Sequence, residues 1–264
     1  MATAELQAVI DLVRQAGKAI LQVYAEDFEV EHKDDRSPLT AADRAAHHIL
    51  VQGLSALPSG LPVLSEESAT IPWSERQGWR RYWLVDPLDG TREFVKRNGE
   101  FTVNVALIED HSPILGVVYA PVLDYLAHAV RGEGAFVQAN DQPAVRVMST
   151  RPAGTPLRVC ASRSHLDART EALLARIGAH EKVGLGSSLK FCRVAEGRAD
   201  FYPRFGPTSE WDTAAAQCVL EEAGGAVIDC SGQALRYNCK ESLLNSDFLA
   251  LGDPQLPWRD WIDE

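Results

Sequence analysis

The stretch Trp83-Leu84-Val85-Asp86-Pro87-Leu88-Asp89-Gly90-Thr91 constrains this chain more than any other. It begins as an apolar, β-prone run and stops at an acid. A second acid follows three residues later, and a Gly-Thr pair opens a polar segment. An ionised carboxylate is costly to bury unless its charge is offset. A strand that ends in two carboxylates with a glycine turn behind them therefore suits a cation and a phosphate better than it suits a core. Taken alone, Asp-Pro-Leu-Asp-Gly is also a good turn.

The segments around this stretch give the outline of a fold. Leu6, Val9, Ile10, Val13, Ala16, Ala19, Ile20 and Val23 recur at helical spacing and predict an amphipathic helix over Ala4 to Ala25. The charged run from Glu26 to Pro38 reads as a hairpin or a mobile loop. Thr40 with an acid at Asp43 resembles a capping box and opens a helix to about Leu57. Pro58, Gly60 and Pro62 then break the chain, and Val63-Leu64-Ser65 is a short buried strand that ends at Glu66-Glu67. After the strand Tyr82 to Val85, the runs Phe101 to Glu109, Ile114 to Ala120, Tyr125 to Val130 and Ala135 to Val137 predict an antiparallel meander.

A boundary rich in Pro, Gly, Ser and Thr falls near Ser149 to Pro156. Beyond it, strands (158–161, 182–185, 201–202, 226–229, 248–251) alternate with helices (167–177, 188–196, 212–223). Alternation of this kind favours α/β layers. The expectation is an α+β half over residues 1–150 and an α/β half over 151–264.

Bulk properties exclude several classes. The formal net charge of −11 argues against a nucleic acid polymer as the main ligand. A small phosphorylated ligand is still compatible, because bound divalent cations reverse the local sign. Cys160, Cys192, Cys218, Cys230 and Cys239 have no CxxC spacing, so a disulfide framework and a zinc site are poor readings. Glu5, Asp11, Arg14 and Lys18 interrupt the apolar residues of the N-terminus, so it does not read as a signal peptide, and no run is long and apolar enough to span a membrane. A cytoplasmic protein is expected.

Five acids sit at expected element ends: Asp43, Glu66, Asp86, Asp89 and Asp212. Rigid elements can present such side chains to a cleft. Converging carboxylates repel one another unless cations neutralise them, and hard oxygen ligands select Mg²⁺ or Mn²⁺. In this reading Asp86 bridges two ions, Pro87 fixes the turn, Leu88 turns its side chain inward and leaves its carbonyl for a metal, and Asp89 serves the second ion. Gly90 permits a close backbone approach, and amides at Thr91 face a phosphate. Each piece has a duller explanation as well: Glu66-Glu67 as a solvated loop, Thr40 and Asp43 as helix capping, Asp212 as an N-cap behind a packed Trp211.

Three separated motifs decide between these readings. Leu64-Ser65-Glu66-Glu67-Ser68, Trp83 to Phe94, and Trp211-Asp212-Thr213-Ala214-Ala215 resemble, in this order, the signatures of the inositol monophosphatase superfamily. The resemblance extends through Gly99 to Asn104, Gly116 to Pro121, Ser162 to His165, Gly186 to Phe191 and Tyr202 to Pro207, where it is similar to the bacterial bisphosphate nucleotidase branch.

The resemblance implies a layered αβαβα sandwich and a Mg²⁺-dependent, lithium-sensitive phosphatase with two or three ions. Glu66, Asp86 and the Leu88 carbonyl would hold one ion, and Asp86, Asp89 and Asp212 another. The scissile phosphate would accept from Gly90 and Thr91, and Asp43 with the Thr91 hydroxyl would activate the attacking water, with Glu66 at a third, looser ion. The implied reaction is hydrolysis of adenosine 3′,5′-bisphosphate to AMP and phosphate, a step linked to sulfur assimilation. Its second phosphate would meet Ser187, Lys190 and Arg204, with His165 nearby; a solvated helix face and a surface turn are the alternatives for Lys190 and Arg204. Relatives of this type are monomers or homodimers, and some associate with the cytoplasmic face of the inner membrane. An inositol or sugar monophosphatase on the same metal site is the first alternative, and an inactive metal- or nucleotide-binding regulator the second. One departure is Ala216, where the family often has glycine; it would narrow the sugar or base pocket if that turn faces the ligand.

Overall fold

The structure is a computed structural model that describes residues 2–26, 31–32, 38–68, 70–140, 142–161 and 167–262. Helices α1 (Ala2–Tyr24) and α2 (Ala41–Ser55) flank a small antiparallel pair, β1 (Glu31–His32) with β2 (Pro38–Leu39). Within the charged run these short strands pair, and the residues between them lie outside the described residues. Next come β3 (Val63–Ser65), a short helix α3 (Trp73–Arg76), β4 (Arg81–Asp89) and α4 (Thr91–Val95). The meander is β5 (Thr102–Glu109), β6 (Ser112–Ala120), β7 (Tyr125–Val130), β8 (Gly134–Ala139) and β9 (Val145–Val147). The rest alternates: β10 (Leu157–Ala161), α5 (Ala168–Ile177), β11 (His180–Gly184), α6 (Leu189–Ala195), β12 (Phe201–Arg204), α7 (Glu210–Glu222), β13 (Ala226–Asp229) and β14 (Phe248–Leu251).

Strands β3 to β9 form a seven-stranded sheet in chain order, parallel only at β3–β4. A five-stranded mixed sheet has the order β11-β10-β12-β14-β13. The period-2 alternation of each strand shows how the layers stack. On β4, Trp83 and Val85 pack against Val9, Val13, Ala16 and Ile20 of α1 and Ala42, Ala46, Leu50 and Leu54 of α2. Tyr82 and Leu84 point the other way, into a core with α6 and α7. Across that helical layer the second sheet contributes Tyr202, Phe248 and Ala250, while its outer face buries Phe201, Leu249 and Leu251 with Leu173 and Leu174 of α5. The result is the αβαβα sandwich. Both faces of the central strands β4 to β7 are covered, which is why these read as near-continuous apolar runs, while the outer strands β9 and β11 are largely exposed. Each fully buried Leu, Val or Phe contributes about 1.5–3 kcal/mol.

Two local features place the site. Helix α7 lies so close to β6 that a Cβ on Gly116 would sit 2.2 Å from the Ala215 carbonyl oxygen. Glycine there, facing Ala214-Ala215-Ala216, lets the helix settle on the sheet and sets the position of its N-terminal turn. Ala216 itself is buried in the core shared by α7 and the sheets. The family's glycine is therefore replaced at a core position, not at a wall of the ligand cleft.

The second feature is the end of β4. The strand does not stop at Val85 but continues through both acids to Asp89. Pairing with β5 runs in register to Asp86 opposite Asn104 and then shifts, so that Asp89 faces Thr102. Three steps on β4 oppose two on β5, a bulge at the point where Pro87 has no N–H to give the ladder. Without the extra residue, Asp86 and Asp89 would project from opposite faces. Helix α3 and strand β9 were not expected, because four and three residues are too short to show a period.

Candidate metal centre and phosphate cleft

Three carboxylates converge at this bulge. Ligand atoms of Asp86, Asp89 and Asp212 all lie within 4.8 Å of one another. Asp86 is 1% exposed, and its Oδ1 accepts the Leu88 amide at 3.0 Å. The Leu88 side chain is buried in the core under α1 and α2, as expected. Asp212 lies at the third position of α7, where its Oδ2 accepts the amide of the N-cap Ser209 at 2.8 Å. It is therefore not itself the N-cap. Asp43 holds the same place in α2: its Oδ2 accepts from the Thr40 amide at 2.8 Å and from Thr40 Oγ1 at 2.6 Å. Capping fixes both side chains, and it leaves a second oxygen of each to face elsewhere.

For Asp43 that direction is Thr91. The Thr91 hydroxyl lies 3.5 Å from Asp43 Oδ1 and 3.4 Å from the Leu88 carbonyl oxygen. Gly90, the N-cap of α4, has φ 90°, a left-handed conformation that favours glycine and turns the chain from strand to helix in one residue. Glu66 opens a short 3₁₀ turn directly after β3. Its charge acts on both Asp86 and Asp212.

The electrostatics of the cluster are one-sided. Burial pushes the Asp86 carboxyl well above its usual range, and Glu66, Asp89 and Asp212 push it the same way. Asp212 is pushed up to about 8, first by burial and then by Asp89. Burial also raises Asp89, against the pull of Lys190 and the Ser188 amide. Buried acids that repel one another in this way call for a counter-charge. The donor set is carboxylate and carbonyl oxygen only, which suits a small hard cation such as Mg²⁺ or Mn²⁺. These residues fit such a group.

A cleft of about 250 Å³ opens beside the acids. Asp89, Gly90 and Asp212 line it together with Ser187, Lys190 and Arg204. Lys190 is not on a solvated helix face: its Nζ donates to the Ser187 carbonyl at 2.7 Å and the Leu185 carbonyl at 3.4 Å, and lies 5.2 Å from the centre of the Tyr202 ring. Burial lowers its pKa, and Asp89 opposes that shift. Arg204 is the last residue of β12, not part of a surface turn. Its Nη2 donates to the Pro207 carbonyl at 3.3 Å, and its Nε is a buried donor without an acceptor among the described residues. Ser187 takes a left-handed backbone, φ 46°, in the loop between β11 and α6. His165 lies outside the described residues, between Ala161 at the end of β10 and Asp167, the N-cap of α5, both of which line the cleft.

Four residues at the site escaped the sequence reading of single side chains. Thr102, Asn104 and Ser188 gather behind Asp89, and Glu93 stands on the cleft wall with a carboxyl raised chiefly by burial. A signal was present for the first two: polar residues two apart in a strand that is otherwise apolar share one face. Ser188 had none beyond its place in the Gly186-Ser187-Ser188 motif.

Comparison with known proteins agrees with this geometry. The chain belongs to the inositol monophosphatase family, whose sequence model matches residues 3–255. It is similar to the 3′(2′),5′-bisphosphate nucleotidase CysQ of Salmonella typhimurium LT2, with 51% identity over 245 residues, 92% of this chain and 98% of that protein. Similarity to CysQ of Escherichia coli K12 has the same identity, 51%, over 92% of this chain and 98% of the relative. Among solved structures, CysQ from Bacteroides thetaiotaomicron superposes with a TM-score of 0.82 at 42% identity, covering 94% of this chain and 97% of that one.

Proposed function

We propose that this chain is a Mg²⁺-dependent 3′(2′),5′-bisphosphate nucleotidase that hydrolyses adenosine 3′,5′-bisphosphate to AMP and phosphate. By the same attack it would convert 3′-phosphoadenylyl sulfate to adenylyl sulfate, which links it to sulfur assimilation in the cytoplasm. One observation carries the reading: Asp89 and Asp212 of the acid cluster line the same cleft as the basic pair Lys190 and Arg204. The similarity to CysQ at 51% identity supports the same substrate class.

Glu66, Asp86, Asp89, Asp212 and the Leu88 carbonyl would hold the two or three ions. Bound Mg²⁺ supplies Lewis acidity toward water and the phosphoryl oxygens and offsets the charge of the acids. The protein's own groups do the rest. Amides of Gly90 and Thr91, at the start of α4, receive the scissile phosphate. As water attacks phosphorus in line, its proton passes to Thr91 Oγ1 while the Thr91 proton passes to Asp43 Oδ1. The P–O bond to the ribose breaks, and the leaving oxygen keeps the electron pair and takes a proton from water. No side chain forms a bond to phosphorus, so the five unpaired cysteines have no part in the reaction. Ser187, Lys190 and Arg204, with His165, would hold the second phosphate, Arg204 through its unpaired Nε.

This divides the labour between the halves: residues 1–150 carry most of the cation ligands, and 151–264 choose the nucleotide. Turnover of adenosine 3′,5′-bisphosphate set against inositol 1-phosphate, with and without Mg²⁺ and with added Li⁺, tests it. The reading expects Mg²⁺-dependent, Li⁺-inhibited release with preference for the bisphosphate. Preference for the inositol ester would overturn the substrate, and no release from either would favour a binding role without catalysis.

A further inference from the structure

Asp89 is the most heavily supported acid of the cluster, and its supports come from both halves of the chain. Its Oδ2 accepts the Ser188 amide at 2.6 Å and lies 3.4 Å from Asn104 Nδ2 and 3.4 Å from Thr102 Oγ1. Ser188 Oγ lies 2.8 Å from Asn104 Oδ1 and 2.9 Å from Thr102 Oγ1. Thr102, Asn104 and Ser188 are all at most 2% exposed. Proton counting fixes the direction of the bonds. Asn104 Oδ1 can only accept, so the single Ser188 hydroxyl proton goes to it. The Asn104 amide then turns its N–H₂ toward Asp89, whose carboxylate can only accept. Thr102 donates into the same group from the edge.

The bulge makes this arrangement. Thr102 and Asn104 are the two β5 residues opposite Asp89 and Asp86, so they share one face beneath the acids. The loop that carries Ser188 is tied down separately: the Gly186 amide donates to Glu100 Oε2 at 2.9 Å, and Lys190 Nζ holds the Ser187 carbonyl at 2.7 Å. That loop is also a wall of the cleft.

We propose that Asn104, Ser188 and Thr102 are positioning residues for Asp89: they saturate its Oδ2, aim its Oδ1 at the cation, and tie the cleft loop 185–188 to the same carboxylate. The inference rests on the reading that Asp89 is a cation ligand. Hydrogen-bonded partners of metal ligands typically hold 10–100-fold in affinity. The network joins two parts of the site that the sequence separates by about a hundred residues, and it makes the loop conformation and cation affinity depend on each other.

Calorimetric titration of Mn²⁺ into metal-free protein tests this without any turnover. Asn104→Ala is expected to weaken Mn²⁺ binding by about 10–100-fold, and to speed hydrogen exchange of the Ser188 amide. Ser188→Ala keeps the amide but removes the hydroxyl that orients Asn104. It is expected to weaken binding in the same direction and provides the test if Asn104→Ala does not fold. Asp89→Asn is the control. Wild-type affinity in Asn104→Ala or Ser188→Ala, alongside a clear loss in Asp89→Asn, would overturn the positioning role and leave the cation reading standing. Equal affinity in wild type and Asp89→Asn would overturn the cation reading and the proposal with it.

Discussion

At the scale of single residues, the site reuses helix capping. Asp43 and Asp212 both occupy the third position of a helix whose N-cap amide they accept. Thr40-x-x-Asp43 was legible as a cap; Ser209-x-x-Asp212 has the same form, but Trp211 drew the reading toward an N-cap at Asp212. Asp86, Asp89 and Asp212, which the fold brings together, could be picked out in the chain because they follow an apolar run or fall near an expected helix start. Their environment could not, since burial and mutual repulsion arise only on folding. That environment has a consequence for pH. Asp86, Asp89 and Asp212 have folded pKa values raised above the unfolded carboxyl value of about 3.9. The metal-free folded state therefore keeps protons that the unfolded chain has lost. The contribution of these three groups to its stability is full below about pH 4 and is lost as pH rises, through about 8 for Asp212. Mg²⁺ replaces those protons, so the rise in Tm on adding Mg²⁺ should be larger at pH 8 than at pH 5.5. An equal rise at both would contradict the account. Arg204→Ala should raise KM about 10–100-fold for adenosine 3′,5′-bisphosphate, the size of a lost charge-assisted hydrogen bond of ~1.5–3 kcal/mol. Adenosine 3′-monophosphate, which lacks the second phosphate, should be little affected; equal effects would remove Arg204 from the second-phosphate site.

At the scale of elements, the decisive feature is the end of β4. The sequence suggested a strand that stops at the first of two acids, whereas β4 runs on through both to Asp89, with Pro87 at the break in its ladder. It did not show that pairing resumes one residue out of register, because register is a property of two strands and β5 gives no local sign of it. Long periodic segments such as α1 and the meander strands were legible, with ends misplaced by a residue or two. The close contact between β6 and α7 was hidden in a single glycine. A Cβ at Gly116 must displace the Ala215 carbonyl, which lies 2.2 Å away. Gly116→Val should therefore destabilise the protein by about 1–3 kcal/mol, as overpacking does. It should also weaken cation binding, because α7 carries Asp212. Calorimetric unfolding would check this; an unchanged Tm would show that α7 can move off the sheet at little cost.

At the scale of the whole molecule, two sheets with a helical layer between them bring one acid from residue 212 to two acids at residues 86 and 89. The alternating pattern beyond residue 157 announced the second sheet, but not that its strands would end beside the first sheet's bulge. The fold lines one cleft with acids that call for cations and with two basic side chains, Lys190 and Arg204, that suit a second anion. Asp89→Asn separates this account from a purely architectural one. It keeps the volume of the side chain and removes one of the repelling buried charges, so Tm in the presence of chelator should be at or above wild type, while kcat falls by about 100-fold or more. The most direct test of the central claim is phosphate release from adenosine 3′,5′-bisphosphate as Mg²⁺ is titrated into chelator-stripped wild-type protein. The account predicts no release without Mg²⁺ and a rise to saturation with it. Release that is undiminished in chelator would contradict it.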